Sequence, residues 1–323
     1  MTELPKYVLI TGGAGFIGSH LVDRCLAEGY DVTILDNLCS GCEANFRPHT
    51  SNPHFHFIHH DIKNPLPVDL TLRPPGKAFS LIFHLACPAS PVHYQHDPIS
   101  TTLTCVNGTY HLLTLAVQMD CPILIASTSE VYGDPTLHPQ PEEYWGNVNF
   151  TGIRSCYDEG KRCAESLCFD FHRRYGAKIR VARIFNTYGP RMCFDDGRIV
   201  SNFMIQALRG DDITIYGTGA YTRSFQYIDD LIEGFWRLVH HPSEIGPVNL
   251  GNTEEYTVKE MGEKIVGLLP GSKSKLTYLP GVSDDPKQRR PDNSKAKRVL
   301  GWEPKVKLDE GLRRTLEEFK SRL

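Results

Sequence analysis

The chain has 323 residues, 40% of them hydrophobic and 23% charged, enough for one α/β domain and a smaller lobe at roughly 150 residues per domain. Its 35 Lys and Arg against 38 Asp and Glu leave a net charge of −3, which gives no field to hold a polyphosphate backbone or an anionic membrane, so neither nucleic acid nor membrane is expected as a partner. Uninterrupted apolar stretches reach only four or five residues against the ~20 a membrane span needs, and ten cysteines scattered from Cys25 to Cys193 fit free thiols in a reducing, cytoplasmic compartment.

Short β-rich runs at residues 7–10, 32–35, 55–58, 81–83, 123–126 and 179–184 alternate with helix-length segments. This alternation predicts crossover units on a doubly wound parallel sheet, and the near-continuous apolarity of the runs predicts strands covered on both faces. The chain from residue 186 carries more Pro and Gly punctuation, so we expect a Rossmann-like domain over residues 1–185 and a mainly substrate-binding lobe over 186–323. An amphipathic segment near 225–240 is expected to return to the first domain.

The first strand runs into Thr11-Gly12-Gly13-Ala14-Gly15-Phe16-Ile17-Gly18, followed by a helical stretch over 19–28. Strand, glycine turn and helix in that order let a pyrophosphate approach the backbone at a helix N-terminus, with Gly12, Gly15 and Gly18 as the turn glycines. Asp36 ends the second strand, where its carboxylate suits the two ribose hydroxyls of an adenosine and repels a 2′-phosphate. With no Arg among residues 37–41, the expected cofactor is NAD rather than NADP. Asp61 and Ile62, after the third strand, are placed to meet the adenine. Cys39 and Cys42 form a C-x-x-C with no second pair, and His59-His60 and His240-His241 lack partners at ligand spacing, so no metal is expected.

Beyond the fifth strand, Ala126-Ser127-Thr128-Ser129-Glu130 brings hydroxyls and a carboxylate to the sheet's carboxyl edge, where such folds bind ligands. Tyr157 and Lys161, four apart in a helical segment running to Arg174, share one face. A neighbouring ammonium and a nicotinamide cation would favour the phenolate as a base, while Thr128 bonds the same substrate oxygen.

These features resemble the extended short-chain dehydrogenase/reductases of the nucleotide-sugar epimerase and dehydratase group. Residues 84–91, 127–135, 183–191, 200–203, 222–227 and 285–292 further resemble the UDP-glucuronate decarboxylases, over essentially the whole chain from about Lys6 to Phe319. The resemblance implies C4 oxidation of UDP-glucuronate by NAD, loss of CO2 from the 4-keto acid, protonation at C5 and re-reduction to UDP-xylose. It implies Thr128, Glu130, Tyr157, Lys161 and Arg289 as catalytic, with Glu130 handling the C5 proton and Arg290 competing with Arg289 for the substrate by one register. It adds Phe16, Ile17, Asn37, Ser40, Gly41, Leu85, Ala86, Ala126, Thr187 and Arg198 to the cofactor set. It assigns the nucleotide and sugar to Asn186, Arg191, Ser201, Asn202, Tyr216 and Arg223, with Pro88, Ala89, Ser90 and Tyr94 in a loop over the hexuronate.

Ser129 stands where related 4,6-dehydratases carry the acid that elimination requires. Cys105 stands where the family usually has Asn, and Leu103 where a Lys is common. The alternatives left open are an oxidative decarboxylase, a UDP-apiose/xylose synthase, a 4,6-dehydratase or epimerase, and an idle NAD-binding partner subunit. The resemblance implies a homodimer in which the helix near residues 101–117 and the Tyr157 helix pair with their symmetry mates, and the first of these carries apolar residues at Leu103, Val106, Tyr110, Leu113 and Val117.

Overall fold

The computed structural model describes residues 6–72 and 76–323. Its centre is a seven-stranded sheet of β1 (Lys6–Thr11), β2 (Tyr30–Asp36), β3 (Phe55–His59), β4 (Phe79–His84), β5 (Ile123–Thr128), β6 (Ile179–Ile184) and β7 (Val248–Leu250). The spatial order is β7-β6-β5-β4-β1-β2-β3 and every pairing is parallel. The order reverses between β1 and β4, which opens a crevice at the carboxyl ends of the strands.

Alternation along each strand explains why these runs are apolar throughout. Val8 and Ile10 pack with Leu21 and Val22 of α1 (Phe16–Ala27), on the face also covered by the later helix over Ile228–His240. Leu9, Ile82, Ile123 and Ile125 point the other way, onto α2 (Thr109–Gln118) and α3 (Ser155–Tyr175) through Leu112, Leu113, Cys168 and Phe171. Full burial of each such side chain contributes roughly 1.5–3 kcal/mol. Helix α3 stops at Gly176, whose φ of +68° is the left-handed closure that glycine adopts without strain.

The smaller lobe contains α4 (Ile199–Arg209), the parallel pair Ile213–Tyr216 with Leu276–Leu279, and a three-stranded sheet of Glu255–Thr257, Thr222–Ser224 and Gln288–Arg289. Between its parts the chain returns to the large sheet as α5 (Ile228–His240), which buries Ile228, Leu231, Phe235 and Leu238 at helical spacing. The returning portion is longer than residues 225–240, because β7 also pairs with β6. Helices α6 (Val258–Gly267) and α7 (Leu308–Arg322) complete the lobe, with α6 started by a capping box between Thr257 and Glu260. Among the described residues, no helix is long and apolar enough to cross a membrane.

Candidate active site

A cleft of about 1710 Å³ runs along the carboxyl ends of the strands and into the smaller lobe. At one end, Gly12 takes a φ of +75°, and a β-carbon there would lie 2.8 Å from the Ala86 nitrogen. A β-carbon on Gly18 would overlap the Gly12 carbonyl oxygen. The turn is therefore closed to larger residues, and it delivers the chain into α1, whose N-terminal residue Gly15 provides no side-chain cap. The free N–H groups of the first turn face a cleft lined by Gly15, Phe16, Ile17 and Gly18.

Asp36 is fixed at the end of β2 by the Ala14 and Leu38 N–H groups, which donate to its two oxygens at 3.0 and 2.8 Å. Burial pushes its carboxyl up, and these hydrogen bonds oppose the shift. Beside it, Asp61 is also penalised by burial but is held below its ordinary range by hydrogen bonds from Lys63 and Asn37. Lys63 went unnoticed in the sequence; its ammonium lies 3.1 Å from Asp61, so its charge is already matched. Asn37, Ser40, Gly41, Ile62, Leu85, Ala86 and Ala126 line the same region. Glycine turn, uncapped helix and anchored carboxylate together fit NAD.

In the middle of the cleft, Lys161 donates to the Ala126 carbonyl oxygen at 2.8 Å and lies 5.9 Å from the centre of the Tyr157 ring. Burial pushes the Tyr157 phenol well above its ordinary value, while a hydrogen bond with Thr128 pulls it back. In the protein by itself, without the nicotinamide cation expected to act alongside the ammonium, burial is the dominant influence on this phenol. Tyr94 stacks flat on Tyr157, with ring centres 5.0 Å apart and an interplanar angle of 2°.

Next to this pair stands a network of guanidiniums and carboxylates. Arg289 donates to both oxygens of Glu130, at 2.8 and 2.9 Å, and Arg154 lies 2.8 Å from the first of them. Arg223, the registered strand neighbour of Arg289, donates instead to Asp285 at 3.0 Å. Burial opposes ionisation of Glu130, yet Arg289 and Arg154 hold it down to about 2. Burial and the Glu130 charge push Asp158 up to about 8. With Asp158 pushed towards its neutral form, the three guanidiniums of Arg154, Arg223 and Arg289 outnumber their partner carboxylates, Glu130 and Asp285, beside Thr128 and Tyr157. With both oxygens engaged by guanidiniums, Glu130 is their counter-ion in the protein without substrate. Arg289 faces the cleft, whereas Arg290 is directed to Glu255.

Arg154 was not anticipated. It lies three residues before Tyr157, a helical spacing that places the two on one face, but only the fold brings Glu130 to them. Pro88, Ala89, Asn186, Thr187, Arg191, Arg198, Asn202, Tyr216 and Arg223 line the cleft. Arg191 is paired there with Asp23 at 2.6 Å. Ser90, Tyr94 and Ser201 are essentially inaccessible and are not part of the cleft lining. Ser90 bonds His93, Ser201 donates to the Arg198 carbonyl oxygen, and Tyr94 stacks on Tyr157.

Residues 9–315 match the GDP-mannose 4,6 dehydratase family. The chain is 51% identical over 316 residues to UDP-glucuronic acid decarboxylase 4 of Arabidopsis thaliana, covering 98% of this chain and 69% of that protein. It is 48% identical over 319 residues to UDP-glucuronic acid decarboxylase 1 of Danio rerio, covering 98% and 73%. Among solved structures it is similar to UDP-glucose 4-epimerase from Thermotoga maritima with UDP-glucose, at 31% identity and a TM-score of 0.88 over 98% of this chain and 99% of that one. It is likewise similar to UDP-glucuronic acid 4-epimerase from Bacillus cereus in complex with UDP-glucuronic acid and NAD, at 28% identity and a TM-score of 0.87 over 98% and 100%. With this likeness running through both lobes, the chain belongs to the UDP-glucuronic acid decarboxylase family of extended short-chain dehydrogenase/reductases.

Proposed function

We propose that this chain converts UDP-glucuronate to UDP-xylose and CO2, with NAD held at the glycine turn and Asp36. The observation that carries the reading is the net positive Arg154–Arg223–Arg289 network beside Thr128 and Tyr157, which suits a sugar acid whose oxidisable hydroxyl and carboxylate lie close together. NAD when bound supplies a hydride acceptor at C4 and returns the same hydride after CO2 has left.

Tyr157 takes the proton of the C4 hydroxyl, and Lys161, anchored on Ala126, fixes the geometry of the catalytic helix. The C6 carboxylate of the resulting keto acid is β to a carbonyl. When the C5–C6 bond breaks, its electron pair moves into an enolate whose oxygen is met by hydrogen bonds from Thr128 and Tyr157. A proton adds at C5, and Tyr157 gives its proton back to O4 as the sugar is reduced. Glu130 holds Arg154 and Arg289 in place. Ser129 cannot supply the acid required for loss of a C6 hydroxyl, which favours decarboxylation over 4,6-dehydration.

The free thiols suit a reducing compartment such as the cytoplasm, and the outward residues of α2 suit a homodimer. The test is incubation of the protein and NAD with UDP-glucuronate, following CO2, absorbance of NADH and the product sugar by NMR. Stoichiometric CO2 and UDP-xylose without NADH accumulation are expected. Accumulating NADH with a 4-keto-pentose would indicate an oxidative decarboxylase, a branched product an apiose synthase, and no CO2 would overturn the reading.

A further inference from the structure

Cys87 follows β4 and lines the cleft just before Pro88 and Ala89. Cys105 is buried in the π-helical turn Thr104–Gly108, between the short helix Pro98–Leu103 and α2. The two sulfur atoms are 3.2 Å apart, so a movement of about 1.2 Å would bring them to the ~2.05 Å of a disulfide. A looser turn of this kind absorbs such a shift more readily than regular helix.

The contact sits against the catalytic helix. A β-carbon on Gly160 would lie 3.0 Å from the Cys105 β-carbon and 3.1 Å from its sulfur, so α3 approaches closely between Tyr157 and Lys161. The thiols also differ. Hydrogen bonding between the two sulfurs, aided at Cys105 by the Lys161 ammonium and opposed by burial, holds Cys105 below its ordinary range; the same contact and burial push Cys87 up. One sulfur is thereby favoured as nucleophile, with a resolving thiol in contact.

We propose that Cys87 and Cys105 are a thiol-modification site, forming a reversible disulfide that halts turnover by tying the sugar-facing loop to the element behind Tyr157 and Lys161. With hydrogen peroxide as oxidant, the Cys105 thiolate attacks one peroxide oxygen, the O–O bond breaks, and the departing oxygen takes up the thiol's former proton and leaves as water. Cys87 sulfur then attacks the Cys105 sulfenic acid. The S–O bond breaks, the hydroxyl leaves with the Cys87 proton as a second water, and the S–S bond forms. Two thiols lose two electrons and one peroxide gains them.

The effect on turnover rests on the proposed decarboxylase reading, whereas the disulfide itself is read without substrate. The full chain with NAD is treated with peroxide, alkylated and digested with pepsin without reduction, because no Lys or Arg separates the two cysteines. The expected result is a Cys87–Cys105 linked peptide, a parallel loss of at least tenfold in UDP-glucuronate turnover, and recovery of both with dithiothreitol. Cys105→Ser, and Cys105→Asn as a second variant in case the first folds poorly, should keep their own reduced-state activity through the same treatment. Absence of the linked peptide would overturn the proposal, as would equal, dithiothreitol-reversible inactivation of either folded variant. Failure of the untreated, reduced protein to act on UDP-glucuronate would instead count against the substrate assignment.

Discussion

Arg289 closes both terminal nitrogens of its guanidinium on Glu130 across 159 residues of sequence, at 2.8 and 2.9 Å, while Arg154 takes one of the same oxygens from the start of α3. Glu130 is therefore the counter-ion around which the sugar end of the cleft is set. Glu130→Gln keeps the shape but removes the charge, leaving two guanidiniums to repel each other. We expect at least a tenfold loss in kcat/KM for UDP-glucuronate, about 1.4 kcal/mol, with the remaining product still carrying solvent deuterium at C5. Unchanged kcat/KM would show that the network does not set the site, and loss of C5 labelling would assign the proton-handling role to Glu130.

Asp158 gives a pH signature of the same network. Its carboxyl is buried beside Glu130 and pushed up to about 8, far above the ordinary Asp range. For an acid whose folded pKa is raised, the native state binds more protons than the unfolded chain between the two values. Stability is then fully present below about 4 and falls as pH rises towards 8. Asp158→Asn mimics the protonated form, so its melting temperature should exceed that of the parent by an amount that grows from pH 5 to pH 8 and then levels off. A difference independent of pH in thermal scans would refute this protonation state.

What could be read from the sequence was what depends on near neighbours. The glycine turn, Asp36 at a strand end, and the Tyr157–Lys161 spacing all lie within single strand–turn–helix units. The Glu130 network was legible only as separate residues, Glu130, Arg223 and an arginine of uncertain register, because its members come from the turn after β5, the residue that caps α3 and two short strands of the smaller lobe. The resemblance placed Tyr94 with Pro88–Ser90 in a loop over the sugar. The short helix Pro91–His96 instead turns it beneath Tyr157. Likewise, β7 has only three residues, too few to show any periodicity, and its place beside β6 is a tertiary fact.

Tyr157→Phe removes one oxygen and leaves the ring stacked on Tyr94. The substitution should therefore preserve the fold and the affinities for NAD and UDP. Turnover should fall at least a hundredfold, the low end of the roughly 10²- to 10⁴-fold range for a general acid–base group. Titration calorimetry with UDP and a single-turnover assay separate the two effects. Near-normal turnover would remove Tyr157 from the chemistry.

The oligomer depends on which residues of the α2 region point outward. Leu113 is fully buried against the sheet and serves the protomer's own core, whereas Leu103 and Tyr110 are 42% and 51% exposed. They lie seven residues apart on either side of the π-helical turn, and Tyr110 packs edge-on against Phe171 of α3. The exposed apolar residues thus follow the seam between α2 and α3. A twofold axis along that seam would set the two helices of one protomer against those of its partner as four helices, covering Leu103 and Tyr110 twice over. We expect light scattering at micromolar concentration to give twice the 36.4 kDa of one chain. Replacing both Leu103 and Tyr110 by Lys would put four like charges at the axis, and should yield a monomer with unchanged circular dichroism. A wild-type mass of one chain would reject the dimer, and a double variant that stays dimeric would place the interface on another face.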